Sequence, residues 1–135
     1  MRGYTLIIAG FLTTLTLMSF LSLQKFDLKA SVQRGKEVYN MQCITCHMEK
    51  GEGMESVFPP LAKSDYLMAD KARSIRQIIE GASGEMVVNG KTYNGEMPAM
   101  DLTDEQVSDV LNYVRNSWGN KGPAVTPAEV QAQRK

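Results

Sequence analysis

Both cysteines and the one histidine of this 135-residue chain fall within five positions, Cys43-Ile44-Thr45-Cys46-His47. A Cys-x-x-Cys-His run is typical of covalent haem attachment, in which two thioethers hold the ring and the histidine ligates the iron. The spacing suits this chemistry because two thiols three positions apart, on a turn that enters a helix, can each reach one haem vinyl group. The run therefore predicts a protein built around one tethered haem.

Other uses of a Cys-x-x-Cys pair fit this chain poorly. A thioredoxin-like dithiol requires a neighbouring βαβ pattern, and a structural zinc site requires four ligands. The sequence supplies neither, since it has no second cysteine pair and no second histidine. A disulfide between Cys43 and Cys46 would close a very small loop and would constrain the unfolded chain little.

The N-terminal residues predict export. Arg2 precedes an apolar run from Leu6 to Leu23, whose length lies between a signal-peptide core and a membrane-spanning helix. The best cleavage boundary follows Ala30, but Leu28 stands where a small residue is expected. Residues 1–30 are predicted to be a signal-anchor helix or a cleaved signal peptide, with the anchor preferred. Both place the remaining chain on the periplasmic side of the cytoplasmic membrane.

The charge of the exported part excludes one class of partner. Residues 31–135 carry 12 Lys or Arg and 14 Asp or Glu, so no basic field is present to attract DNA or RNA. The length suits one small domain, predicted over residues 31–119, followed by a tail over residues 120–135.

Two long helices are predicted at the ends of this domain. Ser31 is the predicted cap of a first helix that runs to about Asn40. Gly35 either lets a second helix cross closely or is simply a tolerated helix glycine. The last helix, which is the expected crossing partner, begins with a capping box at Thr103 and is predicted to end at Gly119.

Shorter elements are predicted between and after the two long helices. A third helix is expected from Lys71 to Glu80 with Asp70 as its cap, after a possible helical turn near Ser64–Leu67. The Asn-Gly pair within Val87–Tyr93 predicts a small hairpin. The tail is expected to contain a short helix, because a capping pattern begins at Thr126.

Residues 31–119 resemble a class I c-type cytochrome. The matching features, in the order of the family, are Gly35 and Tyr39, Cys43-x-x-Cys46-His47, Phe58-Pro59-Pro60-Leu61, Met97-Pro98 and a terminal helix with Tyr113 and Trp118. The resemblance implies an all-α fold of three to four helices around one covalent haem c, with a small hairpin before the methionine loop. It also implies that the N- and C-terminal helices cross where Gly35, Tyr39 and Tyr113 fall.

The resemblance implies a methionine as the iron ligand on the face opposite His47. Met97 is the predicted ligand because it follows the hairpin and precedes a stiff proline. Met100 is the main alternative, and the further ones are Met54, Met86 or no protein ligand at this position.

The family also orients the ligating histidine through a hydrogen bond to a proline carbonyl. Pro59 and Pro60 are the candidates for this contact with His47, and Pro60 is preferred. Trp118 and Tyr93 are expected either to line the haem pocket or to pack in the core.

The resemblance implies an electron carrier rather than an enzyme, because two filled axial positions leave the iron no open site. Its partners would be respiratory or dehydrogenase complexes, such as a quinol-oxidising complex, a haem-copper oxidase or a nitrite reductase, with no small-molecule substrate. Membrane contact would run through the N-terminal helix. Two alternatives are a fixed haem subunit of a membrane redox complex and a haem-based ligand sensor or peroxidase, which would need an empty sixth position.

Overall fold

The computed structural model describes residues 26–134. In chain order the elements are α1 (Leu28–Gln42), α2 (Ile44–His47), α3 (Asp65–Ala69), α4 (Lys71–Ile79), β1 (Ala82–Val88), β2 (Lys91–Met97), α5 (Asp104–Val114) and α6 (Pro127–Gln131). Helices α1 and α5 form the main helix contact, and β1 and β2 form an antiparallel hairpin. The predicted all-α fold with a small hairpin is confirmed.

No helix within residues 26–134 is long and apolar enough to cross a membrane. The apolar run from Leu6 to Leu23, on which the predicted signal peptide or anchor depends, lies outside the described residues.

Helix α1 begins before the predicted cap. Its N-cap is Asp27, whose carboxylate accepts a hydrogen bond of 3.0 Å from the amide of Ala30. Ser31 is buried instead, and its hydroxyl donates to Oδ1 of Asp109 at 2.6 Å. The prediction that Ser31 caps the helix is wrong, because Asp27 satisfies the free amides of the first turn and Ser31 serves the contact with α5.

Gly35 is the point at which α1 and α5 cross. A Cβ atom at this position would lie 1.9 Å from the carbonyl oxygen of Asp109 and 2.9 Å from Cβ of Tyr113. Beside it, the guanidinium of Arg34 donates from Nε and Nη2 to the two carboxylate oxygens of Asp109, each at 2.7 Å. The predicted close crossing is therefore confirmed, and Gly35 is more than a tolerated helix glycine.

Helix α5 has the predicted start but an earlier end. The Thr103 capping box is present, whereas the helix stops at Val114 rather than at Gly119. The side-chain amide of Asn120 donates to the carbonyl of Val114 at 2.7 Å, which satisfies one of the free acceptors of the helix end. Trp118 has a φ of 51° and so lies in a turn beyond the helix.

The tail after Gly119 packs into the same core. The predicted short helix is present as α6, and Val125 and Val130 are fully buried. The side chain of Asn112 on α5 donates to the carbonyl of Val125 at 2.8 Å and accepts from its amide at 2.7 Å. Lys71 on α4 forms an ion pair with Glu129. Residues 120–134 thus join α4 to α5.

Replacing Val130 by alanine should lower the free energy of unfolding by about 2 kcal/mol, because the lost methyl groups leave a cavity that the packed core cannot close. The matched control is Val87→Ala, since the Val87 side chain is 52% exposed; its loss should stay below about 1 kcal/mol. Denaturant unfolding of the haem-loaded protein measures both. If Val130→Ala lowered the free energy of unfolding no more than Val87→Ala does, the tail would contribute nothing to the core.

The remaining helix and the hairpin follow the sequence closely. Asp70 caps α4 and accepts from the amide of Arg73 at 2.9 Å. The hairpin turns at Asn89 and Gly90, both with positive φ, as a two-residue turn requires. Strand pairing continues as far as Ala82 opposite Met97, so the hairpin is longer than the predicted segment.

Candidate functional site

A deep cleft separates the helices from the hairpin. It contains about 1080 Å³ of empty space, counting its open mouth. Its walls are mainly apolar and come from α3, α4, α5, the hairpin and the segment that follows α2. Val110, Leu111 and Val114 of α5 belong both to this wall and to the core.

The Cys-x-x-Cys-His run lies on one wall of the cleft. Cys43, Cys46 and His47 all line it, and the turn of α2 is closed by a hydrogen bond of 3.0 Å from the His47 amide to the carbonyl of Cys43. Burial raises the pKa of the Cys43 thiol to about 11. Because reactive dithiols have a lowered thiol pKa, this environment does not suit thioredoxin-like chemistry.

The imidazole of His47 is oriented by a backbone carbonyl. Its Nδ1 atom lies 3.1 Å from the carbonyl oxygen of Pro59. Burial lowers the pKa of the ring, and the hydrogen bond to Pro59 opposes that change. A neutral ring that donates from Nδ1 keeps a free lone pair on Nε2, which is the form that binds a metal.

The preference for Pro60 as the partner of His47 is wrong. Pro59 precedes another proline and is restricted to extended conformations, so the Pro59 and Pro60 carbonyls point in different directions. The Pro59 carbonyl is the one beside the ring. The sequence Pro59-Pro60 does not by itself indicate which of the two carbonyls lies beside His47. Pro60 remains a residue of the cleft wall.

Two glycines place the segment that carries Pro59. The carbonyl of Gly51 accepts hydrogen bonds from the amides of Leu61 at 2.7 Å and Ala62 at 2.8 Å, and the amide of Gly53 donates to the carbonyl of His47 at 3.1 Å. A Cβ atom on Gly53 would lie 2.3 Å from the carbonyl oxygen of Phe58. The Gly51-Glu52-Gly53 run therefore holds Pro59 against the histidine.

The structure separates the four candidate methionines into two groups. Met97 and Met86 line the cleft, whereas Met54 and Met100 do not. Met100 packs against the hydrophobic core. Met97 ends β2, and Gly81 allows close approach there, since a Cβ atom at Gly81 would lie 2.7 Å from the Met97 carbonyl oxygen. Met97 stays the predicted ligand.

Tyr39, Tyr113 and Trp118 form a cluster behind the cleft. Their ring centroids are 5.1–5.4 Å apart, and the Tyr39 hydroxyl donates to the carbonyl of Met48 at 2.6 Å. Trp118 packs on Gly51, where a Cβ atom would lie 2.6 Å from the indole ring. Trp118 is thus a packing residue, and this cluster fixes the loop after His47 against the crossing of α1 and α5.

Tyr93 and several residues of α3 and α4 complete the cleft. Tyr93 is 4% exposed and faces the cleft beside Met86, its partner across the hairpin. Tyr66 and Gln77 supply polar groups to the wall, and the Gln77 amide lies 3.4 Å from the Tyr66 hydroxyl. Neither residue stands out in the sequence, because no motif surrounds them.

The sequence of this chain is similar to those of known cytochromes c. A family model for cytochrome c matches residues 32–118. The chain is 32% identical over 143 residues to cytochrome c-552 of Thermus thermophilus, covering 89% of this chain and 95% of the relative.

Similarity also extends to parts of larger proteins. The chain is 32% identical over 103 residues to the cytochrome c subunit of a quinone-dependent alcohol dehydrogenase of Gluconobacter oxydans, covering 74% of this chain and 22% of that subunit. It is 32% identical over 98 residues to the cbb3-type cytochrome c oxidase subunit CcoP of Azospirillum brasilense, covering 68% of this chain and 30% of the subunit. The chain therefore spans less than a third of these two relatives.

Proposed function

Because the chain belongs to the cytochrome c family, we propose that it carries single electrons between redox complexes outside the cytoplasmic membrane. Its cofactor is covalently bound haem c, which supplies a reversible one-electron iron couple when bound. One observation supports the proposal most directly: Cys43, Cys46, His47 and Met97 all line one apolar cleft.

Each of these side chains has a proposed role. Cys43 and Cys46 would hold the haem through two thioethers, and His47 and Met97 would ligate its iron. Pro59 holds the imidazole in the orientation and tautomer that ligation needs. If both protein ligands bind the iron, no position would be left for a substrate, so we propose a carrier and not an enzyme.

Replacing Cys43 and Cys46 together by serine should abolish covalent attachment, because no other thiol is present in the chain. After denaturing extraction, the wild-type polypeptide should keep its haem and the double variant should lose it. Haem-dependent peroxidase staining of a denaturing gel, with mass spectrometry, makes this measurement. Haem that stays on the variant polypeptide would contradict the assigned attachment site.

Visible absorption spectra test the carrier function itself. The haem-loaded protein should be reduced and reoxidised reversibly, should be low-spin in both states and should not change when carbon monoxide is added. A high-spin spectrum that shifts with carbon monoxide would instead identify a ligand sensor or a peroxidase.

We propose that the chain is exported and keeps its N-terminal segment. Ala30 lies inside α1, and the Asp27 side chain caps that helix. Cleavage after Ala30 would remove both the cap and the first residues of the helix. Export and membrane contact are tested by cell fractionation and by mass spectrometry of the mature N-terminus, which should not begin at Ser31.

A fixed subunit of a redox complex is the second candidate. It is supported by the similarity to cytochrome subunits of an alcohol dehydrogenase and of a cbb3-type oxidase. Purification from native membranes under mild conditions separates the two functions. A carrier is recovered alone, whereas a subunit is recovered together with its catalytic partner.

A further inference from the structure

The cleft opens between two segments of the chain, residues 44–58 and 80–101, which we call the mouth segments. Every cleft-lining residue that is exposed to solvent belongs to them, namely Cys46, Val57, Gly95, Glu96 and Pro98. The lining residues of the other segments are buried or half-buried. A partner that approaches the cleft therefore meets the mouth segments first.

The two mouth segments touch and form one surface. A Cβ atom on Gly95 would lie 3.3 Å from the carbonyl oxygen of Val57. The ammonium group of Lys91 on β2 lies 2.6 Å from Oε1 of Glu55. These contacts join the loop after α2 to the hairpin along one side of the opening.

Exposed apolar side chains concentrate on this surface. The large apolar residues that remain exposed within residues 26–134 are Met41, Met54, Val57 and Val87. Met54 and Val57 belong to the first mouth segment, and Met41 comes two residues before Cys43. Val87 lies between the cleft-lining Met86 and Val88 and so faces the other side of the hairpin. Clustered apolar exposure of this kind is typical of a protein interaction surface.

The charge of the mouth segments is strongly negative. They contain seven carboxylates and two lysines, whereas residues 28–43 and 59–79 together contain three carboxylates and seven basic groups. Lys91 is paired with Glu55. The other charged residues of the mouth segments are one lysine, Lys50, and six carboxylates. These six are exposed and form no ion pair within the described part of the chain: Glu49, Glu52, Glu80, Glu85, Glu96 and Asp101.

We propose that the mouth segments are the docking surface for a redox protein that presents lysine and arginine side chains around an apolar centre. The inference rests on the proposed electron-carrier function and adds the charge of the partner and the face that it covers. Carboxylates around the opening steer a positively charged protein toward it, and the exposed methionine and valine side chains are desolvated on contact. The net positive charge of α1 and α4 disfavours docking on those two helices.

Reactions with small oxidants of opposite charge test the local field. Haem-loaded protein with ferrous iron gives one electron either to tris(phenanthroline)cobalt(III), a cation, or to hexacyanoferrate(III), an anion. The variant Glu85→Gln/Glu96→Gln removes two charges from the mouth. Its control, Glu37→Gln/Glu105→Gln, removes two exposed charges from α1 and α5.

At about 10 mM salt the mouth variant should react roughly fivefold more slowly with the cation and faster with the anion, and the control should change less than about twofold. At about 300 mM salt the differences should vanish because the charges are screened. Equal effects of the two variants, or no effect of either, would overturn the proposal. Failure of the iron to cycle between its oxidation states would instead refute the electron-carrier function.

A second measurement locates a protein partner directly. Isotope-labelled, haem-loaded protein is titrated with a lysine-rich mitochondrial cytochrome c, and amide chemical shifts are followed. Shifts confined to the mouth segments support the proposal, and shifts centred on α4 overturn it. Self-association through the mouth in the absence of the partner would mean that a second copy occupies this surface, which also overturns it.

Discussion

Replacing Met97 by alanine should lower the reduction potential of the haem-loaded protein by roughly 0.1–0.3 V, within the span of about 0.8 V that axial ligands control. A thioether stabilises ferrous iron, so its loss favours the ferric state. The variant should also bind carbon monoxide, because the position opposite His47 is then open. Potentiometric titration and absorption spectra with and without carbon monoxide measure both effects.

Two further variants make the Met97 assignment specific. Met86 also lines the cleft, and Met100 lies three residues beyond Met97 but packs against the core. Met86→Ala and Met100→Ala should therefore keep a low-spin spectrum that does not respond to carbon monoxide. If Met97→Ala keeps the wild-type spectrum while one of these variants loses it, the ligand is the other methionine.

The elements that local chemistry specifies were predicted well. Asp70 and Thr103 satisfy free helix amides with their own side chains, and Asn89-Gly90 adopts the positive φ values of a tight hairpin turn. Each of these features depends on residues within a few positions of one another. The cleft position of Cys43 and His47 is fixed in the same way, because the short helix α2 follows directly from the end of α1.

Apart from the crossing of α1 and α5 at Gly35, features that depend on residues further along the chain were not predicted. Helix α5 ends at Val114, whose carbonyl accepts from Asn120 six residues further on. The choice between Pro59 and Pro60 depends on how the loop at Gly51 is held. The tail joins the core through Asn112, whose partner Val125 lies thirteen residues further on. No local sequence pattern reveals such contacts, because neither residue of the pair belongs to a motif and the two meet only in the folded protein.

The loop after His47 links the fold to the iron site. Trp118 packs on Gly51, and Tyr39 donates to the carbonyl of Met48, so the first residues of that loop rest on the aromatic cluster beside the crossing of α1 and α5. The same loop presents the Pro59 carbonyl to His47. Any change that separates the two long helices is therefore expected to disturb the histidine as well as the core.

The substitution Gly35→Ala should separate them. In an exposed helix position, alanine in place of glycine stabilises by about 0.5–1 kcal/mol because it restricts the unfolded chain. Here the added Cβ would lie 1.9 Å from the Asp109 carbonyl, which belongs to the backbone and cannot rotate away. Since α1 and α5 must then move apart, we expect a loss of about 3 kcal/mol or more in the free energy of unfolding.

Denaturant unfolding of the haem-loaded protein, followed by far-ultraviolet circular dichroism, measures this loss. The control is Lys36→Ala, an exposed neighbour on the same helix, which should change the stability by less than about 0.5 kcal/mol. Because the crossing also supports the loop at Gly51, Gly35→Ala should broaden or shift the spectral bands of the haem even under native conditions. A variant as stable as the wild type, with an unchanged spectrum, would mean that the helices can part at Gly35 without affecting either the core or the iron site.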